Sequence, residues 1–171
     1  MTSDMETFTR TFLAARGMLF WLMGDLSQAN DPRLVLGILG AVLLVSLPFA
    51  RELNLLTRGA DTAQTLGVQV SRLRRGVYLV ASLTTAAAVT QAGSIGFIGL
   101  IVPHLVRLAI GNDQRLLLPA SVLAGGSLLV IADTLARTVV APQQLPVGVL
   151  TALIGVPVFL YLLTRDPQRK R

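Results

Sequence analysis

Residues Gly76 to Val106 read GVYLVASLTTAAAVTQAGSIGFIGLIVPHLV, 31 positions without an Asp, Glu, Lys or Arg. A soluble domain has no need of such a run, because a buried core helix of about ten to fourteen apolar residues suffices. The run is also too long for one membrane crossing, which takes about 20 residues at ~1.5 Å rise each. Its middle, Gln91-Ala92-Gly93-Ser94-Ile95-Gly96, replaces aliphatic side chains with glycines and polar groups. Two consecutive membrane-embedded helices, near 76–92 and 95–110 and joined by a tight turn, account for the pattern. The chain reads as a membrane protein.

The bulk composition agrees, with 53% hydrophobic and 14% charged residues over 171 positions. The apolar residues come in blocks rather than in amphipathic stripes. Leu34 to Ala50 is one uncharged block, with Pro48 near its end, and Leu116 to Ala132 is another. A last helix is expected to begin around Pro146, since proline is best tolerated in a first turn. Phe8 to Gly24 is apolar enough for a helix but carries Arg10 and Arg16, each costing ~3 kcal/mol at a bilayer centre. Acids in the opening Met1-Thr2-Ser3-Asp4-Met5-Glu6 argue against a removable signal peptide. With no cysteine, a disulfide framework and a thiolate metal site are both excluded.

Charge placement sets direction. The segment 51–75 holds Arg51, Arg58, Arg72, Arg74 and Arg75; the gap 107–115 holds Arg107 and Arg115; the tail holds Arg165, Arg169, Lys170 and Arg171. The alternate gaps hold only Arg33 and Arg137. Eleven against two is a strong positive-inside bias. It places 51–75, 107–115 and the C-terminus in the cytoplasm, and 25–33, 91–96 and 138–145 outside. A nucleic-acid binder would instead gather its arginines on one solvated face with aromatics between them. The expectation is an all-α, polytopic bundle of about five to six membrane helices, a single transmembrane domain over 1–171 with a cytoplasmic tail at 165–171. Small residues recur at four-residue spacing in Gly37/Ala41, Ala120/Ala124 and Gly148/Ala152, as close helix packing in membranes requires.

The segment from Gly93 to Arg107, GSIGFIGLIVPHLVR, closely resembles the signature of the binding-protein-dependent ABC importer permeases of the FecCD/BtuC type. The resemblance continues through Arg115–Ser121, Ala132–Arg137 and Leu145–Phe159, and upstream in Trp21–Ser27 and Arg51–Leu56, covering roughly 18–165. It implies a permease half matching the second half of a ten-span family member, serving iron–siderophore, haem or cobalamin import. It also implies a bacterial inner (cytoplasmic) membrane location, separate ABC ATPase subunits, a periplasmic or extracellular substrate-binding protein and a second permease copy as a homodimer. Membrane lipid completes the partners, and no nucleic acid or cofactor is implied.

Particular residues take expected roles from the same resemblance. Arg58-Gly59-Ala60-Asp61-Thr62-Ala63-Gln64-Thr65-Leu66-Gly67 is similar to the family's coupling loop. Gly59 and Gly67 would punctuate a short helix there, and Ala60, Ala63 and Leu66 would offer an apolar contact to the ATPase. Arg137 aligns with a position that meets a carboxylate on the binding protein, although Asp133, one helical turn earlier, offers a purely local partner. Gly24, Asp25, Leu26, Ser27 and Gln28 align near the outer gate. The chain has no GxxxxGK[ST] loop and one lysine, Lys170, so ATP hydrolysis would reside in another subunit and no catalytic residue is named. His104, the one histidine, reads as a packed side chain rather than a metal ligand, for want of a second donor nearby. Thr84, Thr85, Thr90 and Gln91 stay unassigned between a cavity lining and bonds to helix carbonyls. The rival readings are a secondary transporter or channel, and a truncated, non-transporting fragment or assembly partner. The first calls for ionisable groups inside the spans, which apart from His104 hold none.

Overall fold

A computed structural model describes residues 2–28, 32–139 and 144–165. Eight α-helices run through them: α1 (Thr2–Leu22), α2 (Pro32–Ser46), α3 (Ala50–Leu56), α4 (Ala60–Thr65), α5 (Val70–Ala92), α6 (Ile98–Ile110), α7 (Gln114–Thr138) and α8 (Val147–Arg165). A single turn of 3-10 helix, Leu26–Gln28, follows α1. The expected tail beyond Arg165 and part of the expected outer loop, 140–143, lie outside the described residues, as does the Gln28 side chain.

Helix ends follow the local chemistry. The block Leu34–Ala50 does not form one straight helix: α2 stops at Ser46 and α3 resumes at Ala50, bent by 62°. Pro48 is the reason, since it lacks an N–H and its ring crowds the preceding turn. The opening run does contain two helices, but α5 starts six residues earlier, at Val70, and α6 starts at Ile98 rather than near 95. Gly93 at φ +70° and Phe97 at φ +66° bound the intervening non-helical stretch. A left-handed residue ends an α-helix, and for Phe97 that geometry costs roughly 1–2 kcal/mol. Of the described helices only α7 is by itself long and apolar enough to cross a membrane; α2 with α3 qualifies as a bent pair, and α6 and α8 are apolar but shorter.

The chain forms two compact units. Met1–Asn30, Val89–Phe97 and Ile131–Arg171 make the first, and Asp31–Ala88 with Ile98–Val130 the second. In the second unit a small core joins the α3–α4 region to the start of α5: Ala63, Val68, Val70 and Leu73 are buried, with Leu53, Leu55, Leu56 and Ala60 packed against them. There too Gly125 of α7 faces α6, where an added Cβ would sit in ordinary contact with Ile98 Cγ2 at 3.7 Å. In the first unit the buried residues include Ala132, Ala136, Val147 and Thr151. Many large apolar side chains point outward, among them Leu44, Leu123 and Leu153, all more than 70% exposed. Such a surface needs lipid or protein against it rather than water.

Candidate functional site

The segment matching the coupling loop folds as a helical hairpin. After α3, Arg58 and Gly59 donate their N–H groups to the carbonyls of Leu55 and Leu56, each at 3.1 Å, closing a tight turn. Gly59, at φ +111°, forms the N-cap of α4. The other end of α4 closes on Gly67 at φ +87°. Its N–H reaches the Gln64 carbonyl at 2.9 Å and the Val68 N–H reaches the Ala63 carbonyl at 3.0 Å. This is the Schellman pairing, with the expected hydrophobic contact of Val68 on Ala63. The two glycines therefore do punctuate a short helix.

The six expected coupling residues divide in two. Ala63 is fully buried and belongs to the hairpin's own core, so it is not presented at the surface. Ala60 is half-buried, while Arg58, Gly59, Gly67 and Leu66 are exposed, Leu66 at 59%. Beside the hairpin a groove of about 370 Å³ is lined by Ala60, Gln64, Ser71, Arg74, Arg75 and Tyr78.

One link escaped the sequence reading. The Asn54 side chain on α3 donates from Nδ2 to Asp113 Oδ1 at 2.7 Å and accepts from the Gln114 N–H at 2.8 Å. Asp113 in turn caps α7, its Oδ1 accepting the Arg115 N–H at 3.1 Å. The Asn54 donor, and after it the Arg115 N–H, hold the Asp113 carboxyl below its ordinary value. An Asp directly before a helix signals an N-cap, but nothing in the sequence pairs it with Asn54.

In the first unit, the residues matched to the outer gate sit at a three-way junction. Gly24, at φ +92°, donates to the Trp21 carbonyl at 3.0 Å and accepts from the Val147 N–H at 3.0 Å. The Asp25 N–H donates to the Ala92 carbonyl at 2.9 Å. The end of α1, the end of α5 and the start of α8 are thus joined by main-chain bonds. Glycine makes this approach feasible, since a Cβ on Gly93 would overlap the Trp21 carbonyl and one on Gly148 the Met23 carbonyl. Asp25 is buried and folds its carboxylate onto Ser27, taking the backbone N–H at 2.9 Å and the hydroxyl at 2.8 Å. Leu26 is half-buried and Ser27 exposed. An open apolar cavity of about 630 Å³ lies beside the junction, lined by Met23, Ser94, Gly148, Ala152, Val156 and Pro157 among others.

Arg137 takes the local partner, its Nε 2.8 Å from Asp133 Oδ2, with its side chain 39% exposed. The Leu145 N–H donates to the Ala136 carbonyl at 3.2 Å, holding the approach to α8 against this end of α7. Thr84 and Thr85 bond the carbonyls of Val80 and Ala81, at 2.7 and 2.8 Å. His104 is half-buried, and among the described residues no three His, Asp or Glu gather to hold a metal.

Known proteins resemble this chain. The chain is 52% identical over 150 residues to the cobalamin import system permease protein BtuC of Halobacterium salinarum, covering 86% of this chain and 40% of that one. It is 45% identical over 157 residues to the hemin transport system permease protein HmuU of Yersinia pestis, covering 91% of this chain and 47% of the relative. Against the Fe(3+) dicitrate transport system permease protein FecC of Escherichia coli the identity is 43%, over 88% of this chain and 46% of FecC. The chain therefore spans a little under half the length of these curated relatives. A solved ABC transporter of metal-chelate type, in an inward-facing conformation, superposes with a TM-score of 0.74 at 34% identity, over 88% of this chain and 51% of that one. The model of the FecCD transport family matches residues 2–165, so the chain belongs to that family.

Proposed function

We propose that this chain forms the C-terminal part of a permease subunit of a binding-protein-dependent ABC importer, moving an iron–siderophore, haem or cobalamin across the bacterial inner membrane. The observation that carries the reading is the α3–α4 hairpin in the arginine-rich segment 51–75. A rigid, self-supported element presents Leu66 and the Gly59 turn outward, at a position the charge bias assigns to the cytoplasm. Burying Leu66 in a partner's groove would contribute about 2 kcal/mol. The braced core beneath it would pass a push from the partner on to α3 and α5 instead of absorbing it.

In this reading separate ATPase subunits hydrolyse ATP and engage the hairpin. Arg137 meets the substrate-binding protein from outside, the Gly24–Gln28 segment closes the outer end of the path, and two permeases pair around it in lipid. The chain forms a single transmembrane domain, and its C-terminus lies in the cytoplasm.

The test is co-expression with the ATPase and binding-protein subunits, followed by affinity capture of this chain from detergent. ATPase subunits are expected with the wild type and not with Leu66→Glu. Capture of no ATPase by the wild type, or undiminished capture by Leu66→Glu, would refute the coupling assignment.

A further inference from the structure

We infer that Asn54 is a positioning residue that locks the coupling hairpin to α7, so that displacement of the hairpin carries the N-terminal end of α7 with it. The inference rests on the reading of the hairpin as the ATPase contact and adds the path by which its motion leaves the loop.

The first N–H groups of a helix have no partner within it. In α7 the Arg115 N–H is taken by Asp113, as in an ordinary cap, but the Gln114 N–H is taken by Asn54, which belongs to another helix. Asn54 uses both ends of its amide, because Nδ2 holds the capping carboxylate itself. Turning the amide over would set oxygen against oxygen and N–H against N–H, so the two bonds select one orientation and act as a fork. A bond to an ionised carboxylate is also stronger than a neutral one.

The other side of Asn54 is equally well anchored. Its neighbours Leu53 and Leu55 pack on the Ala63–Val68–Val70–Leu73 core, which ties α3 to α4 through Ala63 and Ala60. Asn54 therefore stands between a rigid hairpin and the end of α7. Apolar contacts can slide, whereas a two-bond fork onto a helix cap keeps its register.

The test uses the permease assembled with its ATPase subunits in liposomes and reads the stimulation of ATP hydrolysis by the binding protein. Asn54→Asp sets two carboxylates against each other; it should still capture ATPase subunits and lose the stimulation. Adding Asp113→Asn to that variant restores a donor–acceptor pair and should bring the stimulation back, while Asp113→Asn alone, which keeps an oxygen for Asn54, should retain it. Asn54→Ala deletes both bonds without added charge and serves as a second reading should Asn54→Asp fail to assemble. Full stimulation in Asn54→Asp or Asn54→Ala, or no recovery in the double variant, overturns the strut alone. A wild type that captures no ATPase overturns the hairpin reading and the strut with it. A wild type that captures ATPase but ignores the binding protein overturns the strut, since no signal then passes for it to carry.

Discussion

Gly93→Ala is expected to be the most damaging single-methyl change in the first unit. Three effects coincide there. At φ +70° an alanine pays the left-handed penalty, about 1 kcal/mol. Its Cβ would overlap the Trp21 carbonyl, and forcing atoms into a packed site costs about 1–3 kcal/mol. The required shift also strains the adjacent bond from the Asp25 N–H to the Ala92 carbonyl, worth about 1 kcal/mol. Together these come to about 3–5 kcal/mol, or a fall in Tm of roughly 6–20 °C for a chain of this size. Gly148→Ala incurs the packing cost alone, since its φ is ordinary. Gly67→Ala incurs only the conformational one, having no atom within 4 Å of the added Cβ. Gly37→Ala faces open space within a helix and should be neutral or stabilising by up to about 1 kcal/mol. Thermal melting in detergent followed by tryptophan fluorescence suits the comparison, because Trp21 is the one tryptophan and its carbonyl is the atom struck. A Gly93→Ala protein melting within about 2 °C of wild type, or one more stable than Gly67→Ala, would refute the argument.

Other outcomes follow from the same geometry. Ala63→Leu should lower the melting temperature by overpacking a fully buried site, whereas Leu66→Ala, 59% exposed, should leave it unchanged while weakening ATPase capture; equal melting of the two would contradict the division. Arg137→Glu should weaken binding-protein association most at low salt, read by titration at two ionic strengths. The Asp133 pair at 2.8 Å is a half-exposed i,i+4 contact, so its loss should cost only about 0.3–0.5 kcal/mol of stability. The Asp113 carboxyl is held below its ordinary value in the folded state. Its stabilising effect is therefore present above the unfolded value of 3.8 and lost as pH falls through the depressed one. The difference in melting temperature between wild type and Asp113→Asn should accordingly be steady at neutral pH, shrink as pH drops below 3.8 and vanish once it passes the depressed value; a difference that does not shrink in acid would remove the ionised cap from the account.

Much of the architecture was legible because membrane helices announce themselves locally. The uncharged run of 31 residues, its glycine-rich break and the alternating arginines are each read from a few neighbouring positions. Helix ends were less legible. Pro48 was visible near the end of its block, but the 62° turn into a separate α3 was not, since proline says where a helix cannot continue and not where the chain goes next. Phe97 was the other surprise, because its left-handed backbone is imposed by its surroundings and not by its own propensity. In the 58–67 segment the two glycines do bound a short helix, as their spacing suggested. Ala63 could not be told from Leu66, because both are apolar residues of one short segment and only burial separates them.

By itself, then, the amino-acid sequence determined the class of protein and the family, since hydropathy and signature residues act through short stretches of chain. Tertiary structure decided which groups meet. The fork from Asn54 to Asp113 joins residues 59 positions apart, and the junction of α1, α5 and α8 brings Gly24, Gly93 and Gly148 into main-chain contact range. Neither is implied by local pattern, because both depend on which helix ends the fold sets side by side. The opening stretch shows the division in one place. Its apolar run and glycine-rich middle marked two helices with a break between them, but that break at Gly93 acquired a specific partner only when the carbonyl of Trp21 came to rest against it.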